Sequence, residues 1–191
     1  MLNKTNIIHQ MARNILSLIL ILNISMGLAD ELKEQALVPV VVLDIELLGD
    51  TSVESMQADD AVLMAKFSKE LRRQLKEQKI VDVLDDEHSL AVINEESKKQ
   101  FLHRCNGCEL MLGKQLGAKQ VVVPWVFRMS KLIQTMYVEI RDVETGELLL
   151  HKGLNFRGNT ENGWTHVTRR LVDEILLYTQ THHQYYYSNR E

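Results

Sequence analysis

The sequence predicts an α/β fold: a single domain in which a mixed sheet of about five strands packs with about four helices. Three observations carry this. A β-branched run, Val40 to Leu43, is followed by a stripe recurring every fourth residue, Leu63, Phe67, Leu71 and Leu75, and then by a second short run, Ile80 to Leu84. Strand, long crossover and strand imply a parallel pair joined right-handedly. Beyond Val121 the period falls to two, with a Glu144-Thr145-Gly146-Glu147 turn between alternating segments, the pattern of an antiparallel meander. Finally, no internal repeat or low-complexity linker divides the chain.

Met1 to Ala29 places Lys4 and Arg13 ahead of an apolar run, Ile15 to Ile24, and ends on small residues, Gly27 and Ala29. That is the pattern of a secretory signal cleaved before Asp30, and Met11 is an alternative start. The run is shorter than the roughly 20 apolar residues a bilayer crossing needs, so no stable membrane anchor is expected after cleavage. Export takes away Lys4 and Arg13 and no acidic residue, leaving 20 basic against 26 acidic residues, a net charge of −6. The densest basic run, Lys66 to Lys79, is diluted by Glu70 and Glu77. Such a chain is no nucleic-acid binder, because affinity for phosphate backbones needs clustered Lys and Arg.

The exported part reads in order as follows. Leu37 to Leu48 is the first strand, whose Asp44 and Glu46, two residues apart, should face the same side, and Gly49-Asp50-Thr51-Ser52 ends it. Asp59 to Gln78 is an amphipathic helix with Asp59 and Asp60 near its N-terminus, where negative charge suits the dipole. A more polar helix spans about Ser89 to Leu102. A further helix opens at Cys105-Asn106-Gly107-Cys108, carries Met111, Leu112 and Leu116 on one stripe, and stops at Gly117. Val121 to Val123 suits a strand covered on both faces, and Trp125, Phe127 and Met129 then alternate with Pro124, Val126 and Arg128. Pro124 predicts an irregularity, because proline donates no ladder hydrogen bond. Leu132 to Asp142 and Leu148 to Phe156 complete the hairpin. Asn159-Thr160-Glu161-Asn162 caps a last helix whose buried face is Trp164, Val167, Leu171, Ile175 and Tyr178. The domain thus spans 30–181, and 182–191, with His182, His183 and three tyrosines, reads as a polar and aromatic tail.

Three segments, VVVLDIELLGD, CNGCELMLGKQLGAKQVVVPWV and VEIRDVETGELLLHKGLNFRGNTENGW, together resemble an uncharacterised bacterial family of predicted periplasmic lipoproteins of unknown function. The distinctive matches are Cys105 and Cys108, Leu116-Gly117-Ala118, Arg141-Asp142-Val143 with Thr145-Gly146, and Arg157-Gly158-Asn159-Thr160 with Trp164. The chain departs from the family in having no lipidation cysteine after the apolar run. The order of elements is also similar to the N-terminal domain of the Tol-Pal translocation protein and to the periplasmic domain of the curli-secretion lipoprotein. These likenesses imply a periplasmic assembly or docking module.

The residues themselves offer few reactive groups. Cys105 and Cys108 are expected to form a structural disulfide in an oxidising compartment. A thiol-disulfide oxidoreductase is the alternative, since a helix N-terminus lowers a thiol's pKa. A metal site built from His103, Cys105 and Cys108 is the other, with His182 or His183 as a fourth ligand. Otherwise His103 reads as a solvated loop histidine. Asp44 and Glu46 form a conceivable acid and base pair, but no His, Ser or phosphate loop is placed to work with them. No catalytic residue and no cofactor is therefore assigned. A sheet with one helical layer and a polar hairpin resembles a docking surface more than a pocket. The expected function is a non-catalytic periplasmic accessory module that binds another envelope protein, with a small-ligand or metal-binding protein as a further alternative. The candidate contacts are Arg157, Gly158, Asn159, Thr160 and Trp164, of which capping and packing leave only Arg157 unexplained.

Overall fold

The computed structural model describes residues 37–52, 54–79 and 81–188; the expected signal segment, Asp30 to Ala36 and the last three residues lie outside them. Six strands and four helices follow in the order β1 (Val38–Val42), β2 (Glu46–Gly49), α1 (Glu54–Glu77), β3 (Val81–Val83), α2 (Glu87–Lys99), α3 (Cys108–Gln115), β4 (Gln120–Arg128), β5 (Ile133–Asp142), β6 (Leu148–Arg157) and α4 (Glu161–Ser188). The sheet runs β3-β1-β4-β5-β6, with β2 also paired to β4. The β1–β3, β1–β4 and β2–β4 pairs are parallel, and β4–β5–β6 is the expected antiparallel meander.

The expected first strand is two strands. Val42 pairs with Val122 and Glu46 with Trp125, so one extra residue is accommodated between them. The gap lies beside Pro124. Leu43 N–H donates to Val122 O and Asp50 N–H to Arg128 O, so even-numbered residues of β4 turn their backbone groups toward β1 and β2. Pro124 would have to donate into this gap and cannot. The irregularity predicted from the proline therefore falls on its neighbour, while β4 itself continues unbroken. Side chains of α1 satisfy the bulge: Ser68 Oγ accepts from Ile45 N–H at 2.8 Å, Arg72 Nε donates to Val42 O at 2.9 Å, and an Arg72 Nη donates to Asp44 at 2.7 Å.

The bulge also corrects the expectation that Asp44 and Glu46 share a face. Asp44 turns toward α1, whereas Glu46 accepts from the backbone of Leu102 and His103 on the opposite side of the sheet. They form no acid and base pair.

Two cores result, not one. Val40, Val42, Ile45, Met136, Val138 and Ile140 pack under α1 and α4, against Phe67, Leu71, Leu75, Trp164, Leu171 and Ile175. Val41, Leu43, Val121 and Val123 face the other way, onto Ile93 of α2, Leu112 of α3 and Leu102. A single helical layer was expected; the second, smaller one exists because β1 and the start of β4 are apolar on both faces. Burying each large apolar side chain stabilises by about 1.5–3 kcal/mol. The helix α1 starts five residues before its expected Asp59, and α4 continues helically to Ser188, through much of the expected tail.

Candidate functional site: an open sheet face

The small layer leaves one face of β4, β5 and β6 without a helix over it among the described residues. Register decides what this face displays. Trp125 pairs with Tyr137 and Tyr137 with Gly153; Glu139 pairs with His151, Thr135 with Asn155, and Ile133 with Arg157. The rings form a row of three with a fourth beside it: His103 stacks on Trp125 with centroids 5.4 Å apart, and Trp125 on Tyr137 at 5.2 Å, while His151 sits against both, 5.8 Å from Tyr137 and 5.9 Å from Trp125. Gly153 makes room for this row. A Cβ there would stand 2.7 Å from Tyr137 Cε1.

A carboxylate fixes one end of the row. Glu46 accepts from Leu102 N–H at 2.6 Å and His103 N–H at 3.1 Å, and His103 Nδ1 lies 2.7 Å from its Oε2. The histidine side chain is 9% exposed and that of Glu46 12%. His103 is thus a buried, paired residue rather than a solvated one, because Glu46 and Trp125 reach it from the sheet. At the other end Glu139 bridges Arg141, 2.8 Å away, and His151, 3.2 Å away.

Where β4 turns into β5, Phe127, Met129, Leu132 and Ile133 are large, apolar and exposed within seven residues. Arg157 is exposed on the same face, opposite Ile133, and makes no hydrogen bond or ion pair with any described residue. The rest of its motif is structural. Gly158 takes φ +76°, the left-handed turn that glycine tolerates. Thr160 Oγ1 caps α4 by accepting from Gly163 N–H at 3.2 Å. Asn159, expected as a cap, turns inward instead: it donates to Asp60 at 2.7 Å and accepts from Trp164 Nε1 at 3.0 Å. Trp164 is fully buried against Phe67 and Phe156. Asp60, expected to serve the helix dipole, is the buried partner of Arg128.

Cys105 and Cys108 are joined, Sγ to Sγ 2.14 Å, at the start of α3, where Gly107 takes φ +93°. Cys105 Sγ also accepts from Cys108 N–H at 3.1 Å. His103 is committed to Glu46, and among the described residues no group of three His, Cys, Asp or Glu could hold a metal. His182 stacks on Tyr178 at the far end of α4. A groove of about 340 Å³ beside β2 is lined by Asp44, Glu46, Asp60, Met64 and Phe101 among others. Its three carboxylates are each engaged by a cation or histidine, so the groove presents no free reactive group.

The aromatic row escaped the sequence, although its parts were visible. Trp125 and Phe127 alternate, as does Tyr137, but only cross-strand register brings Trp125, Tyr137 and Gly153 into line, and His103 arrives from a loop. No helix among the described residues is long and apolar enough to cross a membrane.

The chain is similar in structure to the hypothetical protein CT253 from Chlamydia trachomatis, with a TM-score of 0.51 and 17% identity over 75% of this chain and 98% of that one. It is also similar to the LpoB C-terminal domain from Salmonella enterica (TM-score 0.47, 10% identity, 63% of this chain and 84% of that one). TolB from Acinetobacter baumannii is a further likeness (TM-score 0.43, 10% identity, 75% of this chain and 28% of that one). At such identities the first likeness is one of fold. No functionally curated protein matches the chain. Residues 38–176 match the model of the family DUF3280, so the chain belongs to a family described as protein of unknown function (DUF2380).

Proposed function

We propose that this is a non-catalytic module of the periplasm that docks another envelope protein on the open face, at the end where β4 turns into β5 and β6 turns into α4. One observation carries the reading: an exposed apolar group, Phe127, Met129, Leu132 and Ile133, lies beside an exposed Arg157 that no described residue pairs. Contiguous exposed apolar surface rimmed by polar groups marks interaction sites, and arginine is enriched among residues that dominate binding. Capping and the buried Asp60 pair account for Thr160, Asn159 and Trp164, which leaves Arg157 as the contact. Periplasmic location rests on the signal pattern of Met1 to Ala29.

The test is a crosslinking pull-down from periplasm with wild type and Arg157→Ala. The variant should keep the wild-type melting temperature and lose most of the captured partner. Equal capture by both, or none by wild type, overturns the reading.

Thiol-disulfide exchange is favoured by a different observation. The buried Glu109 places Oε2 3.8 Å from Cys105 Sγ, where a carboxylate could accept a thiol proton after reduction. Insulin reduction above the uncatalysed rate, abolished by Cys105→Ser, would establish it.

A further inference from the structure

We propose that the outer edge of β6 takes up an extended segment of the partner as an added strand, with an apolar residue opposite Gly153 and an acidic one opposite Arg157. The proposal rests on the docking reading and specifies its geometry.

Hydrogen bonding fixes which groups are available. Gly158 N–H donates to Leu132 O at 3.1 Å, so this position is a hydrogen-bonded pair of the β5–β6 ladder. Such pairs recur every second residue in an antiparallel ladder. The even-numbered residues of β6 therefore point N–H and C=O toward β5, and His151, Gly153, Asn155 and Arg157 point theirs outward. Among the described residues β6 is the last strand of the sheet. Its one register irregularity lies between Ile140 and Arg141, opposite Leu150 and Leu148, so Leu150 to Arg157 is regular and holds no proline. At about 3.3 Å per residue this edge is about 26 Å long. A row of outward backbone groups of that length is a template for strand addition.

The side chains of the same four residues stand on the open face and set the chemistry of the added strand. At Gly153 the edge bears no side chain, and the Tyr137 ring lies over it. A side chain opposite Gly153 would therefore meet an aromatic surface, which favours an apolar residue. Four residues on, Arg157 is unpaired among the described residues, which calls for a carboxylate. A second copy of this chain does not fit. None of His151, Gly153, Asn155 and Arg157 is acidic, so pairing of two β6 edges would leave Arg157 without a carboxylate, and β3, the edge that bears the exposed Asp82, is only three residues long.

The probe is the capped peptide TETVTFTVT, in which Glu precedes Phe by four residues on one face, so that an antiparallel added strand sets Phe opposite Gly153 and Glu opposite Arg157. Its binding to the full exported chain is read by fluorescence anisotropy. Replacing Glu by Lys in the peptide should weaken binding about tenfold or more, as loss of a charge-assisted contact does. Arg157→Glu should reverse that preference. Methylating the peptide amides on the edge-facing side should abolish binding. Asn155→Pro should also abolish it while preserving the fold, because that N–H points away from β5 and bonds no described residue. Should Asn155→Pro fail to fold, the methylated peptide decides. No binding of the acidic peptide, equal binding of the acidic and basic peptides, or undiminished binding after amide methylation overturns the proposal. If Arg157→Ala loses the periplasmic partner while folded Asn155→Pro retains it, docking stands and strand addition falls.

Discussion

Arg128 and Asp60 form a bidentate pair that ties the central strand to the first helix, with side chains only 1% and 6% exposed. Around it Gln134 accepts from Arg128 and donates to Gly158 O, and Asn159 links Asp60 to Trp164. The turn that presents Arg157 is thus held from beneath by a buried polar network. Removing one charge of such a pair leaves the other buried and uncompensated. Asp60→Ala is predicted to cost about 3–5 kcal/mol, whereas replacing both partners by apolar residues of similar size costs far less. Urea unfolding of the single and double variants measures the difference. Equal losses would show that the network does not act as a unit.

Gly49→Ala should be among the most damaging small substitutions. Gly49 has φ +85°, and a Cβ there would lie 2.2 Å from the backbone oxygen of Arg128. Backbone cannot swing aside as a side-chain tip can, so β2 must separate from β4. A loss of about 2 kcal/mol or more is expected from the dihedral strain and the overlap. An unchanged melting temperature would contradict it.

The Cys105–Cys108 bond closes a very short loop, for which chain entropy predicts a contribution of about 2 kcal/mol. The double Cys→Ser variant should therefore remain folded, with the loss confined to the start of α3. Hydrogen exchange checks this. Global unfolding would refute the local role, and insulin reduction by wild type would refute inertness.

Glu70 supplies a pH signature. Hydrogen bonds from Arg73 lower its carboxyl to about 2, with a further one from Gln74. A carboxylate lowered in the folded state adds stability that is fully present above its ordinary value. That stability is lost as pH falls from there toward 2. The loss should be small and salt-sensitive, because Arg73 is half exposed. Thermal unfolding across this acid range should show Glu70→Gln less stable than wild type at neutral pH and the two converging on acidification. A constant gap would refute the assignment.

The sequence by itself determined the class of fold. Val40 to Leu43, the fourfold stripe from Leu63 to Leu75 and the alternation through β5 reveal strands and helices because side-chain period follows backbone geometry. It also singled out Pro124 as a defect and Arg157 as a residue without a packing role. It could not say where the defect would fall, since a missing N–H is felt by whichever strand lies opposite, and that is settled by pairing. Only the tertiary structure decided that Asp44 and Glu46 part company at the bulge. The same holds for Asp60, which pairs with a buried arginine 68 residues away in the chain, and for Asn159, which bonds Asp60 and Trp164 instead of capping the helix. The open face follows the same rule. Trp125, Tyr137 and Gly153 are unremarkable alone, and become one surface only because register places them side by side while the small helices α2 and α3 stop short of covering them.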